Sequence, residues 1–539
     1  MCDRALPQAD LPGCRARPGA DLPLPLLDLR PDAGRQGDLR PRWEAAAAVA
    51  ARSRFERGPA GGRQLLRPGR PLLVGRAVEA AEEPVVIRAL VRYLDERSGT
   101  APFLNKALRY VFPDNWSFLL GEVALYTFVI LVGTGIYLTL FFEPSTAQTY
   151  YTGHYLPLRG HQMSVAYRSA VDLSFKVRAG LLMRQTHHWA ADVFVASIVL
   201  HMLRVFFTGA FRKPRDLTYY IGLTMLIVAL LEGYLGYSIV DDLLSGMGLA
   251  IGYSVLMSIP FVGGNLALLL WGAPFPGSPA FESRMYVAHV FLFPILIATL
   301  LGLHLFLVAA RHHTQFRESR RTTEKKVVGI PTFPGQAPRS LGLFFAVAAV
   351  LFLLGGLVQI NPIWLWGPYH VAQGTNGAQP DWYLGWLIGA LRLVPDFDVT
   401  IGHYTLVPNP FWGGALFPLG VFLLLYLAPW LERRLTGEYG FRNLLDRPRD
   451  APWRTALGVA LFTWVFVVFL AGASDRVFVS FGVSYEAQIW AYRVLVVVAP
   501  VVALFVTRRL CLALQESDRL GRIRKRAEAE ARGELPQPE

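Results

Sequence analysis

The chain has 539 residues, 53% of them hydrophobic, and carries a formal net charge of +13. So apolar a composition excludes an ordinary soluble protein of this size. The positive charge, which would point to nucleic acid in a soluble protein, is then better explained by membrane topology.

Residues 1–84 differ from everything after them: fourteen arginines, no lysine, many Pro, Gly and Ala, and no sustained periodicity. This composition reads as a disordered segment or as an N-terminal extension that is not made, with the true start near Val85 or Val86. From about 85 to 112, Ile87, Leu90, Val91 and Leu94 mark a short amphipathic helix at the cytoplasmic surface. Eight apolar stretches then meet the requirement of ~20 residues for a spanning helix: 117–141, 185–208, 217–240, 285–310, 341–360, 411–431, 455–473 and 487–507. The expected fold is an all-α membrane protein, its first four spans forming a bundle over 85–340, a second part over 341–507, and a charged cytoplasmic tail over 508–539.

The connections 209–216, 311–340 and 432–454 carry sixteen Lys plus Arg, and the opposite ones eight. The positive-inside rule makes the first set cytoplasmic, and with it both termini.

The first span carries Gly121, Gly133 and Gly135, small residues that admit close approach of another helix or of a flat ring. The long 143–184 connection contains His154 and His161, which have no partner spacing and read as surface residues. The second span holds His187 and His201, and the fourth holds His289 and His304, at spacings of 14 and 15 residues. At ~100° and ~1.5 Å per residue, each pair lies within roughly 40–60° of one helix face and about 21–22 Å apart along the axis. One further span lies between, so the two histidine helices run in the same direction. His187 then shares a level with His289, and His201 with His304. Two bis-histidine sites stacked across the bilayer are the axial-ligand pattern of two haems. His188 points about 100° away from His187 and is out of register with His201. Arg184 and Arg204 each lie three residues from a histidine, within reach of haem propionates or of lipid headgroups. No C-x-x-C-H run or cysteine cluster is present, so an iron–sulfur or c-type centre must belong to a partner.

Between 232 and 284 the chain is too apolar for a solvated loop and is expected to form a short interfacial helix roofing a cavity. The connection 361–410 carries Pro380-Asp381-Trp382-Tyr383, where a carboxylate beside aromatics can be a general base or part of an interfacial aromatic belt.

Arg184 through Arg215, Arg284 through His304 and the tetrapeptide Pro380–Tyr383 together resemble cytochrome b, the quinol-oxidising core of the bc1 and b6f complexes. The Asp in the tetrapeptide, the long 143–184 loop and the 15-residue spacing are most similar to the actinobacterial menaquinol:cytochrome c reductase subunit. The resemblance implies low-potential haem b on His187 and His289 near the outer face, and high-potential haem b on His201 and His304 near the cytoplasmic face. It places Arg184, Arg204, Arg284, Gly121 and Gly135 at the haems. Pro380, Asp381, Trp382, Tyr383, Gly248 and Pro260 fall at an outer quinol site, with Asp381 the proton acceptor, its pKa raised by partial burial beside Trp382. Arg311, His312 and His313 are candidates for an inner quinone site. Two departures stand out: Val240-Asp241 where many members have Pro-Trp, and Ala309 where many have a histidine.

The resemblance further implies menaquinol as substrate, a Q-cycle with proton translocation, and a bacterial plasma membrane. The implied partners are a Rieske-type iron–sulfur subunit, a cytochrome c-type subunit, a second copy of the complex and a terminal oxidase. The competing readings are a diheme membrane anchor of a dehydrogenase or hydrogenase, and a transporter whose intramembrane histidines relay protons or bind a metal.

Overall fold

A computed structural model describes residues 85–317, 321–373 and 378–533; the expectation for 1–84 lies outside the described residues. Helix α1 (Val85–Ser98) forms where the amphipathic pattern lies, and α2 (Ala101–Leu108) follows. The first span opens on a turn at 116–118 capped by Asn115, whose Oδ1 accepts from the Ser117 amide at 3.1 Å, and continues as α3 (Leu119–Thr139). After α4 (Val165–Phe175) come the spans α5 (Gly180–Phe207) and α6 (Asp216–Ser238), then two shorter apolar helices, α7 (Leu243–Met257) and α8 (Gly263–Trp271). The expected short helix between 232 and 284 is therefore present, in two pieces.

The fourth span is one run of helix from Ala280 to Arg311, made of α9 (Ala280–Val287), a single wide turn over Ala288–Leu292 and α10 (Phe293–Arg311). In that turn the Phe293 amide donates to the Ala288 carbonyl, five residues back. Pro294 follows and has no N–H for the ordinary bond four residues back, which favours the wide turn here. The second half of the chain supplies α11 (Ala337–Leu357), the short α12 (Ile363–Trp366) and α13 (Gly385–Leu393), then α14 (Phe417–Thr436), α15 (Pro452–Ala471), α16 (Ser474–Phe481) and α17 (Tyr485–Ala531). Among the described residues, eight helices are long and apolar enough to cross a membrane, as expected. Helix α17 continues through most of the charged tail: its 47 residues span roughly 70 Å at the usual rise. Asp518 on it meets Arg449 at 3.1 Å, and Gln515 donates to the Arg449 carbonyl at 2.7 Å.

α3, α5, α6 and α10 pack as the bundle, with α11 lying on α5 and α3, and α15 between α13 and α17. The connections sort into two ends. At one, Arg215 donates to the carbonyls of Arg311 at 3.0 Å and His312 at 2.8 Å and to Asn443 Oδ1 at 2.8 Å. Residues 315–316 there pair in parallel with 444–445. Arg454, buried, bridges Glu432 at 2.6 Å and Asp446 at 2.8 Å. The three arginine-rich connections thus meet. At the other end Tyr167 donates to the Ile363 carbonyl at 3.0 Å, Arg184 to the Asn361 carbonyl at 3.2 Å, and Asp242 bridges to Pro368. The 143–184, 232–284 and 361–410 connections close this end around a core of Tyr151, Met163, Tyr167 and Ile363. His154 and His161 are exposed on it, as expected.

Candidate functional site: two facing histidine pairs and a carboxylate at one end

The four histidines pair as the spacing requires. The rings of His187 and His289 have centroids 6.3 Å apart, and those of His201 and His304 6.5 Å apart. A metal–imidazole bond of about 2.0 Å on each side, with the distance from ring nitrogen to ring centre added twice, comes to nearly this separation. The gap between each pair is that of one metal ion held by both rings. The 14- and 15-residue spacings agree because the wide turn at Ala288–Leu292 contains His289 and absorbs the additional residue.

Glycines line the gaps. A Cβ on Gly121 would stand 3.2 Å from His201 Cε1, and one on Gly135 3.3 Å from His187 Cε1. On the facing helix, Gly222 and Gly236 do the same for His304 and His289, at 3.6 and 2.6 Å. Sequence reasoning found the first two and missed the second two, although both pairs repeat at 14 residues. Gly133 faces open space.

Two arginines flank the pairs with nitrogens left over. Arg184 donates to Ser174 Oγ at 3.1 Å and to the Asn361 carbonyl, yet its Nη2 is buried without a partner. Arg204 donates to Ser117 Oγ at 3.4 Å and lies 4.0 Å over the Phe118 ring, and its Nη2 is also buried and unpartnered. A buried, unsatisfied guanidinium nitrogen is costly, and an acidic group at each site would satisfy it. Arg284, by contrast, is exposed beside a surface depression formed with Ala280, Ser283 and Val287.

The second pair opens into a cavity of about 910 Å³ bordered by Gly121, Gly222, Arg204, Arg215, His312 and His313. His313 Nδ1 lies 3.2 Å from the Tyr110 hydroxyl, and the His312 ring stacks on Tyr110 with centroids 5.6 Å apart. Burial, with Arg215 and Arg204 nearby, pushes His313 down to about 4, so it is neutral at neutral pH. Arg311 is exposed and lies off the cavity wall.

At the first pair's end, Asp381 is buried under α5 and not beside Trp382. Its Oδ1 accepts from His188 Nε2 at 2.6 Å and its Oδ2 from the Tyr383 hydroxyl at 2.9 Å. Trp382 turns outward, 40% exposed, and Tyr383 inward, 2% exposed. The expected rise in the Asp381 pKa is therefore corrected. Burial alone would raise it, but the His188 charge and bond, with the Tyr383 bond, hold it below the ordinary carboxylate value. His188, set aside as a ligand, is thus the partner of Asp381. The sequence held that signal only as a second histidine beside a ligand. Asp192, one turn along α5, joins them, the donor atoms of all three lying within 4.8 Å of one another.

Tyr383 shares a core with Tyr237, Leu384 and Leu244 at the start of α7. Tyr234 donates to the Gly248 carbonyl at 3.1 Å, and a Cβ on Gly248 would stand 2.3 Å from the Tyr237 hydroxyl. Glycine at 248 lets α7 lie close over this tyrosine pair. Pro260 sits in the turn that ends α7. Asp241, at the departure from Pro-Trp, has a positive φ of 58°.

Eight membrane helices with two levels of facing imidazoles define an integral membrane cytochrome of the b type. Residues 192–368 match the family described as cytochrome b(N-terminal)/b6/petB. The cytochrome bc1 complex cytochrome b subunit of Mycobacterium tuberculosis (strain ATCC 25618 / H37Rv) is 47% identical over 427 residues, covering 79% of this chain and 77% of that one. The subunits of the same name from Corynebacterium efficiens and Streptomyces coelicolor are 45% and 44% identical, each over 79% of this chain and 78% of theirs. The chain belongs to this family, the cytochrome b subunits of cytochrome bc1 complexes, and is the membrane core of a quinol:cytochrome c reductase. In fold it is also similar to a solved hyperthermophilic respiratory Complex III, with a TM-score of 0.59 at 20% identity, over 78% of this chain and 98% of that one.

Proposed function

We propose that the chain binds two haems b, one between His187 and His289 and one between His201 and His304. It oxidises a quinol, of the menaquinone class, at the end bearing Asp381, and reduces quinone at the cavity bearing His313. The observation that carries this reading is the pair of ring separations, 6.3 and 6.5 Å, at two levels of one bundle. The haems supply a path for single electrons through the apolar layer. Everything else is done by side chains. Gly121, Gly135, Gly222 and Gly236 leave room for flat rings, and Arg184 and Arg204 offer nitrogens to the propionates. Asp381, fixed by His188 and Tyr383, takes a proton from the quinol hydroxyl. His313, neutral, and Tyr110 line the inner cavity, where His313 can accept or pass a proton.

Assigning the arginine-rich end to the cytoplasm puts both termini inside, the Asp381 end outside, and the chain in a bacterial plasma membrane. Two electrons leave each quinol, and this chain offers a route for one of them, so the other goes to an outside acceptor. That division is a Q-cycle, and it needs a Rieske-type iron–sulfur subunit and a cytochrome c-type subunit as partners. A dimeric assembly and a terminal oxidase beyond it complete the proposed chain.

A dithionite-minus-ferricyanide difference spectrum of the purified complex tests the reading. Two b-type bands are expected, and a blank spectrum would defeat the assignment of haems to the two histidine pairs. The glycines give a second test. Gly236→Val should push against His289, because an added Cβ would already stand 2.6 Å from its Cε1. The outer haem should be lost or loosened and the inner one retained; unchanged occupancy of both would remove Gly236 from the site.

A further inference from the structure

The Nδ1 atoms of the four histidines are not alike. His201 Nδ1 is buried with no hydrogen-bond partner. His304 Nδ1 lies 3.1 Å from the Thr218 carbonyl. His187 Nδ1 lies 2.9 Å from Thr134 Oγ1, whose own proton goes to the Ile130 carbonyl at 2.7 Å, leaving a lone pair for the imidazole. His289 Nδ1 alone faces an anion: Glu232 Oε1 lies 2.9 Å away on α6, at ion-pair distance but outside hydrogen-bond alignment. Both side chains are 17% exposed, and Glu232 Oε2 is buried without a partner. Among the described residues, no lysine or arginine forms an ion pair with Glu232. A carboxylate at membrane depth is expensive and points to a role.

We propose that Glu232 holds the outer haem at a lower potential than the inner one, by setting its carboxylate against the imidazole of His289. This rests on the reading that the four histidines carry two haems. Reduction adds one electron to a ferric iron and lowers its charge by one, with no bond broken and no proton required. A carboxylate 2.9 Å from the Nδ1 of a ligating imidazole would make that ligand more basic through its charge, and the same charge would stabilise the ferric form. The inner pair has only a neutral carbonyl and an unpartnered nitrogen in the same positions. Among the groups that meet the four Nδ1 atoms, the difference in charge therefore lies in one residue, and it would direct electrons from the outer level to the inner. Glu232 acts through His289 and is a positioning residue.

The test is a redox titration of both b bands in the whole purified complex, wild type against Glu232→Gln, which keeps the size and an acceptor oxygen but not the charge. The outer haem should become at least tenfold easier to reduce at equilibrium, a rise of about 59 mV for one electron, with the inner haem unmoved. Two intact bands with unchanged potentials would overturn the proposal and leave the haem reading standing. The absence of b bands from the wild type would defeat the haem reading itself. If Glu232→Gln loses the outer haem, Glu232→Asp decides: it keeps the charge at greater distance and should raise the potential by a smaller step. No shift in Glu232→Asp, or a shift equal to that of Gln where both are measured, would overturn the role of charge.

Discussion

His201→Leu is expected to abolish one b-type band completely while leaving the other at its wild-type position and intensity. Haem iron with one of two axial imidazoles gone loses half of its protein bonds, and a leucine offers nothing in exchange. The bundle itself should survive, because leucine is a good helix former, is apolar and is close to histidine in bulk. The His187–His289 pair lies about 21 Å away along the helices, too far to feel the change through packing. The variants then sort by level: His304→Leu should remove the same band as His201→Leu, and His187→Leu and His289→Leu the other. Loss of the same band from His201→Leu and His289→Leu would break the pairing inferred from the 6.3 and 6.5 Å ring separations. Reduction of quinone at the His313 cavity should stop in His201→Leu, since electrons no longer reach that level.

Much of this is legible in the sequence. A membrane helix leaves little choice: backbone bonds are satisfied internally, so length and hydropathy fix the spans, and eight appear where eight were expected. Charge sorted the connections correctly into two ends, and the histidine spacing paired the rings. The details beyond that depended on things a periodicity argument does not carry. A 15-residue spacing on an ideal helix places His289 and His304 about 60° apart on opposite sides of the 14-residue pair's offset. Only the wide turn before Pro294 brings them into line. Gly222 and Gly236 lay in a span examined only as a connector. Asp381 was placed beside its sequence neighbour Trp382, but Trp382 and Tyr383 are successive residues of one short turn and face opposite ways. The carboxylate's real partner, His188, is 193 positions earlier in the chain. Glu232 was not singled out, because a lone carboxylate in an apolar helix shows its purpose only when its neighbour across the bundle is known.

Asp381→Asn should slow quinol oxidation by about 10²-fold or more, the usual worth of a positioned proton acceptor, while both haem spectra remain those of the wild type. The amide is nearly the same shape: its oxygen can still accept from His188 Nε2, and its Nδ2–H can donate to the Tyr383 hydroxyl oxygen, so the contacts at 2.6 and 2.9 Å need not collapse. What it cannot do is take a proton. In the wild type, burial pushes the Asp381 carboxyl up, but the His188 charge and bond and the Tyr383 bond bring it below the ordinary carboxylate value of about 4. The group is therefore ionised at neutral pH, and the acid limb of the rate profile belonging to it lies below the usual carboxylate range. A carboxylate held that low is a weak base, so accepting the quinol's proton requires one of its two bonds to be given up as the new one forms. His188→Phe separates these contributions. With the imidazole gone, burial dominates, the carboxyl rises, and the acid limb should move to higher pH, so that activity falls on acidification sooner than in the wild type. Stopped-flow reduction of the b haems by a quinol analogue across pH, with haem content checked in each variant because His188 adjoins His187, reads both effects. Turnover of Asp381→Asn equal to the wild type would take the base away from Asp381; an unmoved acid limb in His188→Phe would mean that the imidazole is not what holds the carboxylate down.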